Sequence, residues 1–349
     1  MKAAVWHGEK DIRVEERELR ALKNNEVKVK VAWAGICGSD LHEYEEGPVF
    51  VPSEKEDPLT GDTAPLTFGH EFAGVVEEVG SDVENFKSGD RVAINPTLTY
   101  GNKPEDLDPY DGFAFIGLNT DGGFASHANV PESNVYHLPE PLSLQDGALV
   151  EPTAVAVQAV KEGGLVFGDS VAIFGAGPIG LLTIMAAKAA GASKIITLDL
   201  SETRLEKAKE VGATHVINSG EKDPVEAIFD IVPEGVDVSF EVAGVEPTFK
   251  QAIETTKPRG TMVIVSIFAK PIEWNPFQLT GKGVRITSSI AYTPTSFQQT
   301  IDLMASGQLK PNAVITDQIE LDNIVEKGFE ALSNDKSQAK ILVELSGEK

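Results

Sequence analysis

The stretch Val171-Ala172-Ile173-Phe174-Gly175-Ala176-Gly177-Pro178-Ile179-Gly180 decides how this 349-residue chain is read. Val171 to Phe174 is a short apolar run, suited to a strand buried on both faces. Ile179 to Ala190 is rich in alanine and leucine, a helical stretch that Gly191 stops. Between them lies a G-x-G-x-x-G. That pattern is weak alone, but here it has the strand-turn-helix context it requires. The first glycine makes the tight turn, the second lets backbone N–H groups approach a pyrophosphate, and the third lets the helix pack closely on the strand. The helix N-terminus adds a dipole favourable to phosphate. Gly175, Gly177, Pro178, Ile179 and Gly180 are therefore expected to bind a cofactor. The next strand, from Lys194 to Leu198, ends at Asp199, 24 residues after Gly175. A carboxylate there can accept hydrogen bonds from the two hydroxyls of an adenosine ribose and repels a 2′-phosphate, which favours NAD over NADP. Arg204 is placed to flank the adenine or ribose. The bland alternative makes the glycines turn residues and Asp199 a strand-end cap.

Working outward, strand and helix patterns alternate after Leu149-Val150-Glu151-Pro152: a helix from Arg204 to Val211 and strands over 236–240 and 261–266. Strands separated by helices of this length imply right-handed βαβ units and a doubly wound parallel sheet. Before that point the pattern is different. Strands are expected over 2–6, 26–34, 71–79 and 91–94; in the second, Val27, Val29, Val31 and Trp33 alternate with Lys28, Lys30 and Ala32. Short strands with glycine turns suggest a β-rich first domain, a barrel or sandwich. Two stretches, 43–65 and 96–123, are loop-like, and loops of that length are often functional. Beyond about residue 290 come one helix near 296–306, a break at Pro311 and a last strand over 340–343.

The composition fits a globular protein, with 41% hydrophobic and 24% charged residues and no apolar run of the ~18 residues that suggest a membrane span. Met1 to Asp11 lacks the apolar stretch and cleavage site of a signal peptide, so a cytoplasmic location is expected. The net charge of -24 argues against non-specific binding to nucleic acid or anionic lipid. Cys37 is the sole cysteine, which excludes an intramolecular disulfide and a four-cysteine structural zinc site.

Cys37 lies in Gly35-Ile36-Cys37-Gly38-Ser39-Asp40-Leu41-His42, and 33 residues later comes Gly69-His70-Glu71. Thiolate, imidazole and carboxylate are all good zinc ligands, and three of them plus an open position is the pattern of a catalytic site. His7, His127, His137 and His215 lie outside any such spacing and read as surface or packing residues.

Gly69-His70-Glu71-Phe72-Ala73-Gly74, with Gly80 and Gly89-Asp90-Arg91-Val92, resembles the signature of the zinc-containing medium-chain dehydrogenase/reductase family, and the Cys37 segment resembles that family's first-ligand segment. The resemblance covers essentially the whole chain. It implies a GroES-like catalytic domain from residues 1–150 and 291–349 around a Rossmann NAD-binding domain at 151–290. It implies Cys37 and His70 as the first two ligands of one catalytic Zn2+, with Glu71, Glu151 or both completing the set. Glu151 as a helix cap is the competing reading. Ser39 and His42 match the family's proton-relay positions, serving hydride transfer between a secondary alcohol and NAD. Val242-Ala243-Gly244, Ser266-Ile267-Phe268 and Ser289-Ile290-Ala291 resemble the strand-end loops that line the cofactor.

The loop 43–65, Leu149-Val150-Glu151-Pro152 and Phe240-Glu241-Val242 look most like the butanediol dehydrogenase branch, which implies a small diol or hydroxyketone substrate. A sorbitol-like polyol or threonine is the alternative. The segment 95–123 lacks the four-cysteine lobe of many relatives, so no structural zinc is expected. A dimer or tetramer is implied by the family. An NAD-binding sensor without catalysis is the reading from another class; it should have lost the metal residues first, and here they are present together.

Overall fold

The computed structural model describes residues 1–100 and 108–347. Residues 101–107, part of the loop read over 96–123, lie outside the described residues. The chain divides into two units: Met1–Pro152 with Thr293–Gly307 and the stretch from Ile315 onward, and Thr153–Tyr292 with Gln308–Val314.

The first unit is β-rich. Its main sheet is built on the long strand Glu26–Gly35, which pairs antiparallel with Glu71–Val79 on one side and with Lys340–Glu344 on the other. The alternation read at its start is real: Val27, Val29 and Val31 are buried, while Lys28 and Lys30 are partly exposed. Trp6, Phe68, Phe72, Phe124 and Phe329 fill the core beneath. Each removes a large apolar surface from water at about 25 cal/mol per Å². Glycines mark where this sheet comes closest to its neighbours. A Cβ on Gly74 would lie 2.1 Å from the carbonyl oxygen of Lys30, so only glycine lets the two strands approach there.

The second unit holds six parallel strands: Ser170–Phe174, Lys194–Asp199, His215–Asn218, Val236–Glu241, Thr256–Ile264 and Arg285–Ser288. Numbered in chain order they lie 3-2-1-4-5-6, the doubly wound order of a dinucleotide-binding sheet. Its core gathers Phe174, Ile196, Leu198, Ile228, Phe249, Ile253 and Met262.

Several sequence expectations shift. The expected loop over 43–65 begins inside a helix, Gly38–Glu46. The strand expected over 261–266 runs Thr256–Ile264. The strands His215–Asn218, Arg285–Ser288 and Ile315–Glu320 have no counterpart in the sequence reading. All three are short, and Ile-Thr-Asp-Gln-Ile-Glu carries two isoleucines among four polar residues, too little pattern to mark a strand. A short hairpin, Thr97–Thr99 with Phe113–Phe115, structures the ends of the second expected loop.

Candidate active site

Cys37 stands at the exit of the strand Glu26–Gly35 and is the N-cap of the helix Gly38–Glu46. The Asp40 carboxylate, one turn on, accepts the Cys37 backbone N–H at 3.0 Å. It satisfies one of the orphan donors of a helix start and fixes where the thiol points. The other Asp40 oxygen lies 3.1 Å from Nδ1 of His70. One fully buried carboxylate thus lies against two candidate ligands, and with Nδ1 facing Asp40 it is Nε2 of His70 that is left to serve as the ligand atom. Burial alone would push the His70 pKa down. The carboxylate of Asp40, then the Cys37 thiol, outweigh it and raise the pKa well above the ordinary value.

His70 precedes the strand Glu71–Val79, whose register puts Glu71 opposite Gly35. The approach is close: a Cβ on Gly35 would lie 2.1 Å from Oε2 of Glu71. Ligand atoms of Cys37, His70 and Glu71 all lie within 4.8 Å of one another. The Ser39 hydroxyl lies 3.2 Å from Nε2 of His70. His42 follows three residues later on the same helix and is half-buried, so it shares the Ser39 face.

On the opposite side of the central strand, Leu342 pairs with Gly35, which carries Lys340 to the level of Cys37. The Lys340 ammonium is almost fully buried. It donates to both oxygens of Glu71 at 2.7 Å and to the Ile36 carbonyl at 2.9 Å. Burial would depress its pKa, but Glu71, then Cys37, and more weakly Glu151, raise it above the ordinary lysine value. Glu151 is buried in the first turn of the helix Val150–Glu162 and acts electrostatically on the same ammonium. That helix starts at Val150, so Glu151 is inside it and not its cap.

In the second unit, the turn after Ser170–Phe174 uses Gly175 at φ +114°, and Gly177 caps the helix Pro178–Ala189 with Pro178 at its first position. A Cβ on Gly180 would sit 2.0 Å from the Gly175 carbonyl oxygen, so helix and turn pack with no room for a side chain. A Cβ on Gly177 would meet nothing within 4 Å. The space in front of that backbone is open, which fits a pyrophosphate cradle. Asp199 ends its strand, accepting the Ala176 N–H at 2.8 Å on one oxygen and the Ser201 N–H at 2.9 Å on the other. With two lone-pair positions left it can still accept from ribose hydroxyls. Arg204 is in the first turn of the helix Glu202–Val211, its N–H capped by Ser201. Val242, Ala243 and Gly244, then Ser266 and Ile267, then Ser289, Ile290 and Ala291, follow the carboxyl ends of the fourth, fifth and sixth strands. Phe268 differs, because its ring packs edge-on against Phe249 of the core.

Residues 23–140 match the alcohol dehydrogenase GroES-like domain and residues 178–306 the zinc-binding dehydrogenase domain. An (R,R)-butanediol dehydrogenase of Bacillus subtilis is 47% identical over 98% of this chain and 99% of its own length. A sorbitol dehydrogenase of the same organism is 34% identical over 98% of this chain and 97% of its own. The crystal structure of a Bacillus subtilis 2R,3R-butanediol dehydrogenase superposes with a TM-score of 0.93 at 45% identity, covering 99% of both chains. The chain belongs to the zinc-binding medium-chain dehydrogenase/reductase family. It is an oxidoreductase of the zinc alcohol dehydrogenase type, with the GroES-like and Rossmann folds of that family.

Two site residues of this dehydrogenase escape sequence reading. Asp40 leaves a trace, an acid three residues after an N-cap position. Lys340 leaves almost none: Ala339-Lys340-Ile341-Leu342-Val343 reads as a strand entered from solvent, and its partner is 269 residues away.

Proposed function

We propose that this dehydrogenase oxidises a small vicinal diol, 2,3-butanediol, to the hydroxyketone acetoin with NAD, and runs the reverse reduction, including that of diacetyl. The observation that carries this is the cluster of half-buried Cys37 with buried His70 and Glu71, in a chain 47% identical to a butanediol dehydrogenase over nearly all its length. The donor set suits one zinc: a thiol, an imidazole whose other nitrogen is held by Asp40, and carboxylates. When bound, zinc would supply Lewis acidity towards an alcohol oxygen, and the nicotinamide would accept hydride from the adjoining carbon.

The chain's own residues do the rest. Cys37 and His70 would hold the metal. Glu71, whose two oxygens accept from Lys340, would stand beside it as a charged wall, and Glu151 would take the remaining ligand position. The Ser39 hydroxyl would take the proton of the substrate hydroxyl as it hands on its own, and His42, one turn along the helix, would pass a proton to water. The second oxygen of a vicinal diol adds a polar contact that orients the reacting carbon. Asp199 favours the adenosine ribose with a free 2′-hydroxyl, hence NAD.

The segments 1–150 and 291–349 then form the catalytic domain and 151–290 the nucleotide domain, in a cytoplasmic dimer or tetramer. For the described residues, no helix is long and apolar enough to cross a membrane. A sorbitol-like polyol is the second reading, favoured by the 34% identical sorbitol dehydrogenase.

The test is metal analysis together with turnover of the butanediol stereoisomers, sorbitol and threonine with NAD and NADP. About one zinc per chain and highest kcat/KM on a butanediol isomer with NAD are expected. Highest kcat/KM on sorbitol would replace the substrate assignment, and full activity in a metal-free preparation would overturn the site.

A further inference from the structure

Glu241 ends the fourth strand of the parallel sheet, between Phe174 of the first strand and Ile264 of the fifth. That is where the strand order reverses, the crevice at which open parallel sheets bind their ligands. Its side chain is fully buried. One oxygen accepts the N–H groups of Ala243 and Gly244, each at 3.0 Å, and the Thr248 hydroxyl at 2.7 Å. The other accepts the Ser266 hydroxyl, with a longer contact of 3.3 Å to the Gly244 N–H. All these donors are neutral. A single carboxylate therefore ties the loop after the fourth strand to the loop after the fifth.

Both loops abut the glycine turn. The Val242 N–H donates to the Phe174 carbonyl at 3.0 Å, and a Cβ on Gly175 would stand 3.3 Å from Ala243. Gly244, at φ +72°, comes so close to the second loop that a Cβ there would lie 2.5 Å from the Ile267 carbonyl oxygen. With the polar backbone of the first loop turned inward to Glu241, Ala243 and Ile267 are left exposed. They offer apolar edges suited to a flat heteroaromatic ring. In a doubly wound sheet the first three strands serve one mononucleotide half and the last three the other. Asp199, on the second strand, belongs to the adenosine half, so the loops that Glu241 ties belong to the nicotinamide half.

We propose that Glu241 is a positioning residue for the nicotinamide half of the dinucleotide, holding the 242–244 and 266–268 loops in one fixed arrangement. This rests on the nucleotide reading given above. A carboxylate can serve donors on both oxygens, whereas the near-isosteric amide of Glu241→Gln accepts on one side only and must turn an N–H to the other. The turn at 243–244 keeps its acceptor in that variant, while the tie to Ser266 is remade in reverse or lost.

The experiment measures NADH and ADP-ribose affinities by titration, with thermal midpoints and the kcat and KM for NAD, on zinc-loaded full-length enzyme. Glu241→Gln should weaken NADH about tenfold, equivalent to about 1.4 kcal/mol, and leave ADP-ribose within about twofold. Ser266→Ala should weaken NADH severalfold, and the double variant should be no worse than Glu241→Gln, because both remove one shared tie. Equal losses of NADH and ADP-ribose would show a role in general stability and overturn the proposal. Unchanged NADH affinity in Glu241→Gln, or additive losses in the double variant, would overturn it as well. Wild-type enzyme that binds ADP-ribose but not NADH refutes this assignment alone; binding of neither removes the nucleotide reading beneath it.

Discussion

Replacing Lys340 by methionine tests the arrangement of the candidate metal centre most directly. Methionine keeps most of the buried volume, so packing losses stay small. It removes the charge, two hydrogen bonds of 2.7 Å to Glu71 and one of 2.9 Å to the Ile36 carbonyl. Glu71, fully buried beside Cys37, is left without its counter-charge. Stranding one partner of a buried ion pair costs about 3–5 kcal/mol. At roughly 2–4 °C per kcal/mol for a body of 150–250 residues, the unfolding midpoint should fall by about 6–20 °C. Glu71→Gln alone strands the ammonium instead and should also be costly. The double variant Glu71→Gln/Lys340→Met strands neither charge and should recover most of the loss. The assay is equilibrium denaturation of all four proteins, both zinc-loaded and after chelation, so that metal binding is separated from the pair. A Lys340→Met variant within about 1 kcal/mol of wild type, or additive effects of the two single changes, would refute a coupled buried pair.

The last two glycines of the nucleotide turn should behave oppositely. Gly177→Ala should keep the thermal midpoint and lose NADH affinity in titration, since its Cβ meets only open space, whereas Gly180→Ala, 2.0 Å from the Gly175 carbonyl, should destabilise the fold itself. Glu151→Gln should reduce bound zinc by metal analysis after dialysis, and Glu71→Gln should reduce it less, because the Glu71 oxygens are engaged by Lys340. For Glu26, burial would raise the pKa, but the paired hydrogen bonds from Arg20 and the Lys23 N–H hold it below the usual carboxylate value. Its contribution is thus present above an unfolded pKa of about 4.3 and lost as pH falls through the lower folded value. Glu26→Gln should cost about 1–2 kcal/mol at pH 7 by denaturant titration and should flatten the acid limb of the stability curve.

What was legible in the sequence was what neighbouring residues enforce. Gly175 and Gly180 announce themselves because a turn at φ +114° and a 2.0 Å approach admit no other residue, Gly177 because it completes their spacing, and Asp199 is found by counting one strand onward. Cys37, Ser39 and Asp40 lie on one turn of helix, so their spacing carries their relation. Relations made by strand register carry no such mark. Lys340 reaches Glu71 because Leu342 pairs with Gly35 and Gly35 pairs with Glu71, two facts that no local pattern encodes. Glu241 ties Ser266, 25 residues on, for the same reason. This is also why the choice between Glu71 and Glu151 stays open in the motifs: each follows a signature segment, and both read as ligands. The deciding residue lies outside either motif. A carboxylate that already holds a buried ammonium with both oxygens must give up part of that pairing to reach a metal, so Glu71 starts as a ligand at a disadvantage set by its two contacts with Lys340. The zinc contents of the two glutamine variants measure that disadvantage.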